Sequence, residues 1–167
     1  MRAAMGRYAQ PGFLAFFQLQ AGFVLIFALP LYAAVANPAP FGWRDLLGLL
    51  IGLLAIAGEM LADAQLSRHR TDPAQRHRTC QTGLWRYSRH PNYFCEWLHW
   101  FAYALLATGG PHPWLGWSGP LIMLAFLWKI TGIPYTEQQA LSHRPDYALY
   151  QQTTSAFLPW FPRQPRR

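Results

Sequence analysis

The sequence predicts an all-α fold: a polytopic membrane helical bundle of about four spanning helices, followed by an amphipathic helical segment on the cytoplasmic side. Three observations carry that expectation. Apolar residues make up 52% of the chain and charged ones 13%, the apolar residues fall in long runs, and the arginines cluster between the runs.

The runs come in order. Phe13 to Ala36 holds no charge, Leu46 to Leu61 holds Glu59, Tyr93 to Gly109 holds Glu96, and Trp114 to Ile133 holds Lys129. A hydrocarbon core of roughly 30 Å needs about 20 residues at a helical rise of about 1.5 Å. The third run is short and the second is polar at its end, yet 167 residues supply too little polar sequence to cover four such helices in water. Arg2 and Arg7 ahead of the first run, and Ala34-Val35-Ala36 at its close, resemble a secretory signal. The run is longer than the apolar stretch of roughly 7 to 15 residues that such signals carry, so it reads as a retained span.

Charge sets the expected orientation. Arg68, Arg70, Arg76, Arg78, Arg86 and Arg89 lie between the second and third runs, and Arg144, Arg163, Arg166 and Arg167 follow the fourth. The first connection has Arg44 alone and the third has no basic residue except His112. By the positive-inside rule both termini and the 67 to 92 loop are cytoplasmic. The same rule accounts for most of the net charge of +7 without nucleic acid as a partner. Cys80 and Cys95 fall on or near that reducing side, which argues against a structural disulfide. With no repeat, low-complexity tract or linker, residues 1–167 read as one membrane-embedded domain.

After the fourth run comes ITGIPYTEQQALSHRPDYALYQQTTSAFLPWFP. Thr136 with Gln139 three residues on predicts a capping box and a helix start there. Pro145 ends that helix, and Asp146 opens a second one bearing Tyr147 and Tyr150. Leu158, Trp160 and Phe161 suit an interfacial anchor. The segment is expected to lie across the cytoplasmic mouth of the bundle, with Glu137 and Arg144 near the 83–97 loop.

That loop reads GLWRYSRHPNYFCEW. Pro91 disfavours helix at His90, so the third helix starts at Pro91 or just after, its first-turn N–H groups free and Arg86, Arg89 and His90 beside them. This outlines an anion site for phosphate or carboxylate. Asn92 and Glu96, four apart, can meet a polar ligand. Glu59 and Asp63 share a helix face, where they either line a functional site or pair with the head-group zone and a loop arginine. His69, His77, His90 and Cys80 lack a metal-ligand spacing, so no metal is expected. No dinucleotide glycine fingerprint, P-loop or nucleophile elbow is present.

GLWRYSRHPNYFCEW, the upstream EMLADAQL and the C-terminal segment together resemble the steroid 5-alpha-reductase C-terminal family, in its bacterial membrane branch, over roughly residues 45 to 162. The resemblance implies a bacterial inner-membrane protein with a cofactor on the cytoplasmic side, between the last spans and the C-terminal segment. Its cofactor-binding candidates are Asp63, Arg86, Tyr87, Arg89, His90, Asn92, Tyr93, Glu96, Glu137 and Tyr147. The wider superfamily includes NADPH-dependent steroid and sterol reductases and S-adenosylmethionine-dependent isoprenylcysteine carboxyl methyltransferases. Asn92 ahead of Tyr93 is similar to the reductase pattern. The expected activity is therefore reduction of an activated carbon–carbon double bond in a lipid-soluble, steroid-like or isoprenoid substrate, with Tyr87 or Tyr93 as catalytic donor. Methyl transfer from S-adenosylmethionine is the alternative. Cys95 stands where the family usually has glycine, and relatives carry further N-terminal helices that supply groups near the substrate carbonyl. A third reading is thus a non-catalytic subunit that keeps an ancestral cofactor site beside a membrane partner.

Overall fold

The computed structural model describes residues 9–130 and 132–164. Six α-helices form it: α1 (Ala9–Val35), α2 (Trp43–Thr71), α3 (Pro91–Leu106), α4 (Pro113–Ala125), α5 (Ile133–His143) and α6 (Tyr147–Thr153). A 3-10 turn, Gly83–Arg86, precedes α3, and one π turn, Phe126–Ile130, continues α4. The described residues contain no strand.

Local chemistry explains the boundaries. At the start of α2 the Asp45 carboxylate accepts the Gly42 N–H at 2.8 Å, which is half of a capping box, glycine having no side chain to complete it. Its last turn carries Arg68, His69 and Arg70, whose positive charge suits the negative end of the helix dipole. Pro91 and Pro113 open α3 and α4, where a missing N–H costs nothing. The sequence-based start of α3 at Pro91 is therefore met. The capping box at Thr136 is not: α5 begins three residues earlier, and the Thr136 hydroxyl donates back to the carbonyls of Gly132 and Ile133, both at 3.1 Å. Threonine in a first turn can satisfy its hydroxyl this way as readily as by capping.

α3 is the centre of the bundle. It packs against α2 on one side and α4 on another, while α1 lies against α3 and α4. Small residues let the backbones approach. A Cβ added at Gly48 would sit 3.1 Å from the Ala102 carbonyl oxygen, and one at Gly116 would sit 2.7 Å from the Ala107 Cβ. Such contacts are the usual means of joining helices where water supplies no hydrophobic drive.

Two helices, Gln10–Val35 within α1 and Trp43–Thr71, are long and apolar enough to cross a membrane, which is fewer than the four expected. The third run stops at Leu106, where Ala107 to Gly110 turn the chain. The fourth is regular only to Ala125, before the π turn. α1 is almost bare: Val24 is 67% exposed and Leu25 70%. Apolar surface on that scale fits a lipid surround.

Candidate functional site

The Arg-rich end of the bundle is where the 72–90 loop, the first turn of α3, and the C-terminal helices meet. Trp85, on the 3-10 turn, anchors the loop to α2 by donating its indole N–H to the Ala62 carbonyl at 2.9 Å, and the Leu84 N–H reaches the Gln65 side chain at 2.9 Å. Gly83, with φ at +61°, lets the chain turn over Gln65. The Ser88 hydroxyl donates to the Phe157 carbonyl at 2.8 Å, while the Arg89 and Trp160 N–H groups donate to Ser155 and Tyr87. Loop and tail are thereby stitched together. The Tyr150 hydroxyl, buried between them, donates to the backbone carbonyls of Trp85 and Ser88.

Glu137 on α5 is the electrostatic hub. Its Oε1 lies 2.8 Å from Arg89 Nε and 3.3 Å from His90 Nε2, and its Oε2 accepts the Gln151 amide at 2.9 Å. The Arg89 Nε–H is not aimed at the oxygen, so that contact is Coulombic, and Arg89 Nη1 donates instead to the Gln151 carbonyl at 2.7 Å. Burial alone would raise the Glu137 carboxyl; the His90 hydrogen bond, the Arg89 charge and the Gln151 amide outweigh it and hold it below the usual carboxylate range. The Tyr147 hydroxyl is pushed up by burial and by the adjoining Glu137 charge. Asp146, opening α6, accepts the Thr79 N–H at 2.9 Å and the Thr79 hydroxyl at 2.9 Å, and these bonds lower it against the effect of burial.

A cavity of about 360 Å³ lies over this hub. Arg70, Arg89, His90, His143 and Arg144 supply its basic groups, Tyr93 and Trp85 its aromatic walls, and among the described residues that line it there is no carboxylate. The His90 and Tyr93 rings stack at 5.2 Å.

The expected site residues divide. Arg89, His90, Asn92, Tyr93 and Tyr147 line the cavity, and Glu137 holds Arg89 and His90 from behind. Arg86 and Tyr87 are exposed on the outer side of the turn, where Tyr87 meets Phe161 edge to face. Asp63 accepts the Asn92 amide at 3.1 Å, and Glu96 accepts the Trp100 indole N–H at 3.2 Å. These carboxylates face the α2–α3 seam outside the cavity. The expectation of free first-turn amides is narrowed: the Tyr93 N–H is taken by the Asn92 side chain at 3.0 Å, while the Phe94 N–H makes the first helical bond to the His90 carbonyl at 3.0 Å. Pro91 has no N–H, so the positive groups of the cavity come mainly from basic side chains and not from the helix terminus. Arg70, His143 and Thr79 were missed as site residues because nothing local marks them; they reach the cavity from chain segments far apart in sequence.

These features define a helical, membrane-associated protein with a cationic cavity at one end of the bundle. The chain belongs to the DUF1295 family, described as proteins of unknown function, whose family model matches residues 1–154. No curated protein and no solved structure matches it.

Proposed function

We propose that the protein is an integral membrane reductase, its Arg-rich end in the cytoplasm, that uses NADPH to reduce an activated carbon–carbon double bond in a lipid-soluble substrate. One observation carries the choice of cofactor: the cavity offers Arg70, Arg89, Arg144 and two histidines and is lined by no described carboxylate. NADPH is polyanionic, and its phosphates match that donor set. S-adenosylmethionine carries a sulfonium and an ammonium, which the same lining repels. Bound there, NADPH would supply the hydride that adds to the electron-poor carbon, leaving as NADP⁺.

The chain's own residues have separable tasks. Arg70 and Arg144, from α2 and the end of α5, would hold phosphate at the mouth. His90 and Tyr93, stacked on one another, offer an aromatic face to a base or nicotinamide ring. The Tyr150 hydroxyl is spent on backbone carbonyls, and burial and the nearby Glu137 charge hold the Tyr147 hydroxyl to its proton, which leaves Tyr93 as the cavity tyrosine to deliver the proton that completes saturation. Tyr87, outside the cavity, is set aside as donor.

Calorimetry on detergent-purified protein tests the reading. NADPH is expected to bind, S-adenosylmethionine not, and Arg70→Ala with Arg144→Ala to weaken NADPH at least tenfold together. Binding of S-adenosylmethionine alone would return the methyltransferase reading. Binding of neither, with a second membrane protein co-purifying, would favour the non-catalytic subunit.

A further inference from the structure

The tryptophans of the chain fall into two groups. Trp85, Trp97 and Trp100 each donate the indole N–H to a protein oxygen, of Ala62, Pro120 and Glu96 respectively. Trp128 and Trp160, at the Arg-rich end, are exposed and their indole N–H groups have no acceptor among the described residues. Trp128 lies in the π turn that closes the fourth apolar run and meets Phe157 edge to face, with ring centroids 6.0 Å apart. From Phe157 the tail passes through Leu158, Trp160, which is 66% exposed, and Phe161, which is 75% exposed and stands 6.1 Å from the Tyr87 ring. An apolar rim thus continues from the end of the fourth run around the outside of the tail.

Backbone bonds hold this rim outward. The Trp160 N–H donates to the Tyr87 carbonyl at 2.8 Å and the Arg163 N–H to the Thr153 carbonyl at 2.7 Å, while the Phe157 carbonyl accepts the Ser88 hydroxyl at 2.8 Å. With the tail already fixed, docking its exposed side chains costs little further ordering. Charge says what they meet. Arg86, Lys129 and Arg163 are exposed at this end without an ion-pair partner among the described residues, and segments 83–90, 126–130 and 155–164 contain no carboxylate. The exposed aromatics at the opposite end, Trp43 and Trp114, have Arg44 offset by Asp45 and carry no such excess. Tryptophan and tyrosine settle at headgroup depth, and cations beside them favour an anionic leaflet.

We infer that this rim is a headgroup site for anionic phospholipid, in which Arg86, Lys129 and Arg163 meet the phosphate while Leu158, Trp160 and Phe161 enter the acyl boundary. Two observations identify the occupant: the rim prolongs apolar surface that already fits a lipid surround, and its charge is of one sign. Lipid bound there also fastens the tail over the 83–90 loop, and so over the segment that carries Arg89 and His90. The inference rests on the membrane placement in the proposed function and not on the reductase chemistry.

The test titrates phosphatidylglycerol and phosphatidylcholine separately into the detergent-purified full chain and counts bound lipid by native mass spectrometry. Phosphatidylglycerol is expected to bind at least tenfold more tightly. Arg163→Gln and Lys129→Gln should each weaken it about fivefold, the effect of one cation near a lipid surface, and leave phosphatidylcholine unchanged. Arg78→Gln, an exposed cation of the preceding loop outside the rim, should change neither. Trp160→Ala with Phe161→Ala keeps every charge and should weaken phosphatidylglycerol at least fivefold, which keeps the test open if a charge variant misfolds. Equal affinity for the two lipids, or a loss in Arg78→Gln as large as in Arg163→Gln, overturns the inference. So does phosphatidylglycerol affinity unmoved by the aromatic pair. A chain that stays soluble and monodisperse after detergent removal sinks the membrane placement and this site with it, whereas failure in a chain that needs detergent sinks the site alone.

Discussion

At its N-terminal end α3 is held by hydrogen bonds and charge that reach it from α2, α5, α6 and the tail; at its C-terminal end it is held by close approach of glycines and alanines. Asn92, Arg89 and His90 are each tied to a carboxylate on another helix. Ala104 and Ala107 pack against the bare backbone of Gly116, and Ala107 also against Ala33 and Leu115. The difference separates two kinds of sensitivity. The first end should respond to charge and pH, the second to volume.

The largest effect is expected at Glu137. Glu137→Ala strands Arg89, whose side chain is 11% exposed, and His90 without their shared anion. Loss of one partner of a largely buried pair costs about 3 kcal/mol, read by chemical denaturation in mixed micelles, and should detach the C-terminal helices first as judged by proteolysis. Glu137→Gln keeps an acceptor and should cost less. The pH dependence has a definite sign. Because the folded carboxyl sits below its ordinary value of 4.5, its stabilisation is fully present above that pH and is lost as pH falls through the lower folded value. The acid step should shrink in Glu137→Gln, the remainder belonging to Asp146, which is lowered in the same direction.

The opposite end should fail through size alone. In Gly116→Ala the new methyl would lie 2.7 Å from the Ala107 Cβ and 3.0 Å from the Ala104 Cα, and the latter is backbone that cannot swing away. Overpacking of this kind costs about 2 kcal/mol, with no pH dependence. Should the stability lost in Gly116→Ala vary with pH, the two ends are not independent and the contrast fails. A smaller loss is expected for Asn37→Ala, since Asn37 Nδ2 donates to the Leu106 carbonyl at 2.8 Å and to that of Thr108 at 3.3 Å, closing the far end of α3. Removing it should cost about 1 kcal/mol in the same denaturation assay.

Local signals were legible in the chain and distant pairings were not. Pro91 marked the start of α3, and Asp146 the start of α6, because a proline's fixed φ and a carboxylate's affinity for helix N–H groups act within a few residues. Asp146 nevertheless spends its oxygens on Thr79, 67 positions away, which no local pattern announces. Glu96 was read as a ligand contact because a carboxylate inside an apolar run wants a partner; the structure supplies one in Trp100, four residues on and therefore visible in the spacing. Four apolar runs were evident, but their helical lengths depended on where the turn after Leu106 and the π turn after Ala125 fell.

Arg86 and Arg89 make the sharpest case, since they stand three apart in one motif and composition cannot tell them apart. The 3-10 turn ends at Arg86, leaving it exposed, while Arg89 is drawn inward by Ser155, Gln151 and Glu137. Arg86→Ala should therefore change stability by no more than about 0.5 kcal/mol and leave NADPH affinity as it was, whereas Arg89→Ala removes the cation that Glu137 and the Gln151 carbonyl both use. Calorimetric titration of the two variants side by side checks this. A tenfold loss of NADPH affinity in Arg86→Ala would move the anion site to the outer face of the turn and away from the cavity.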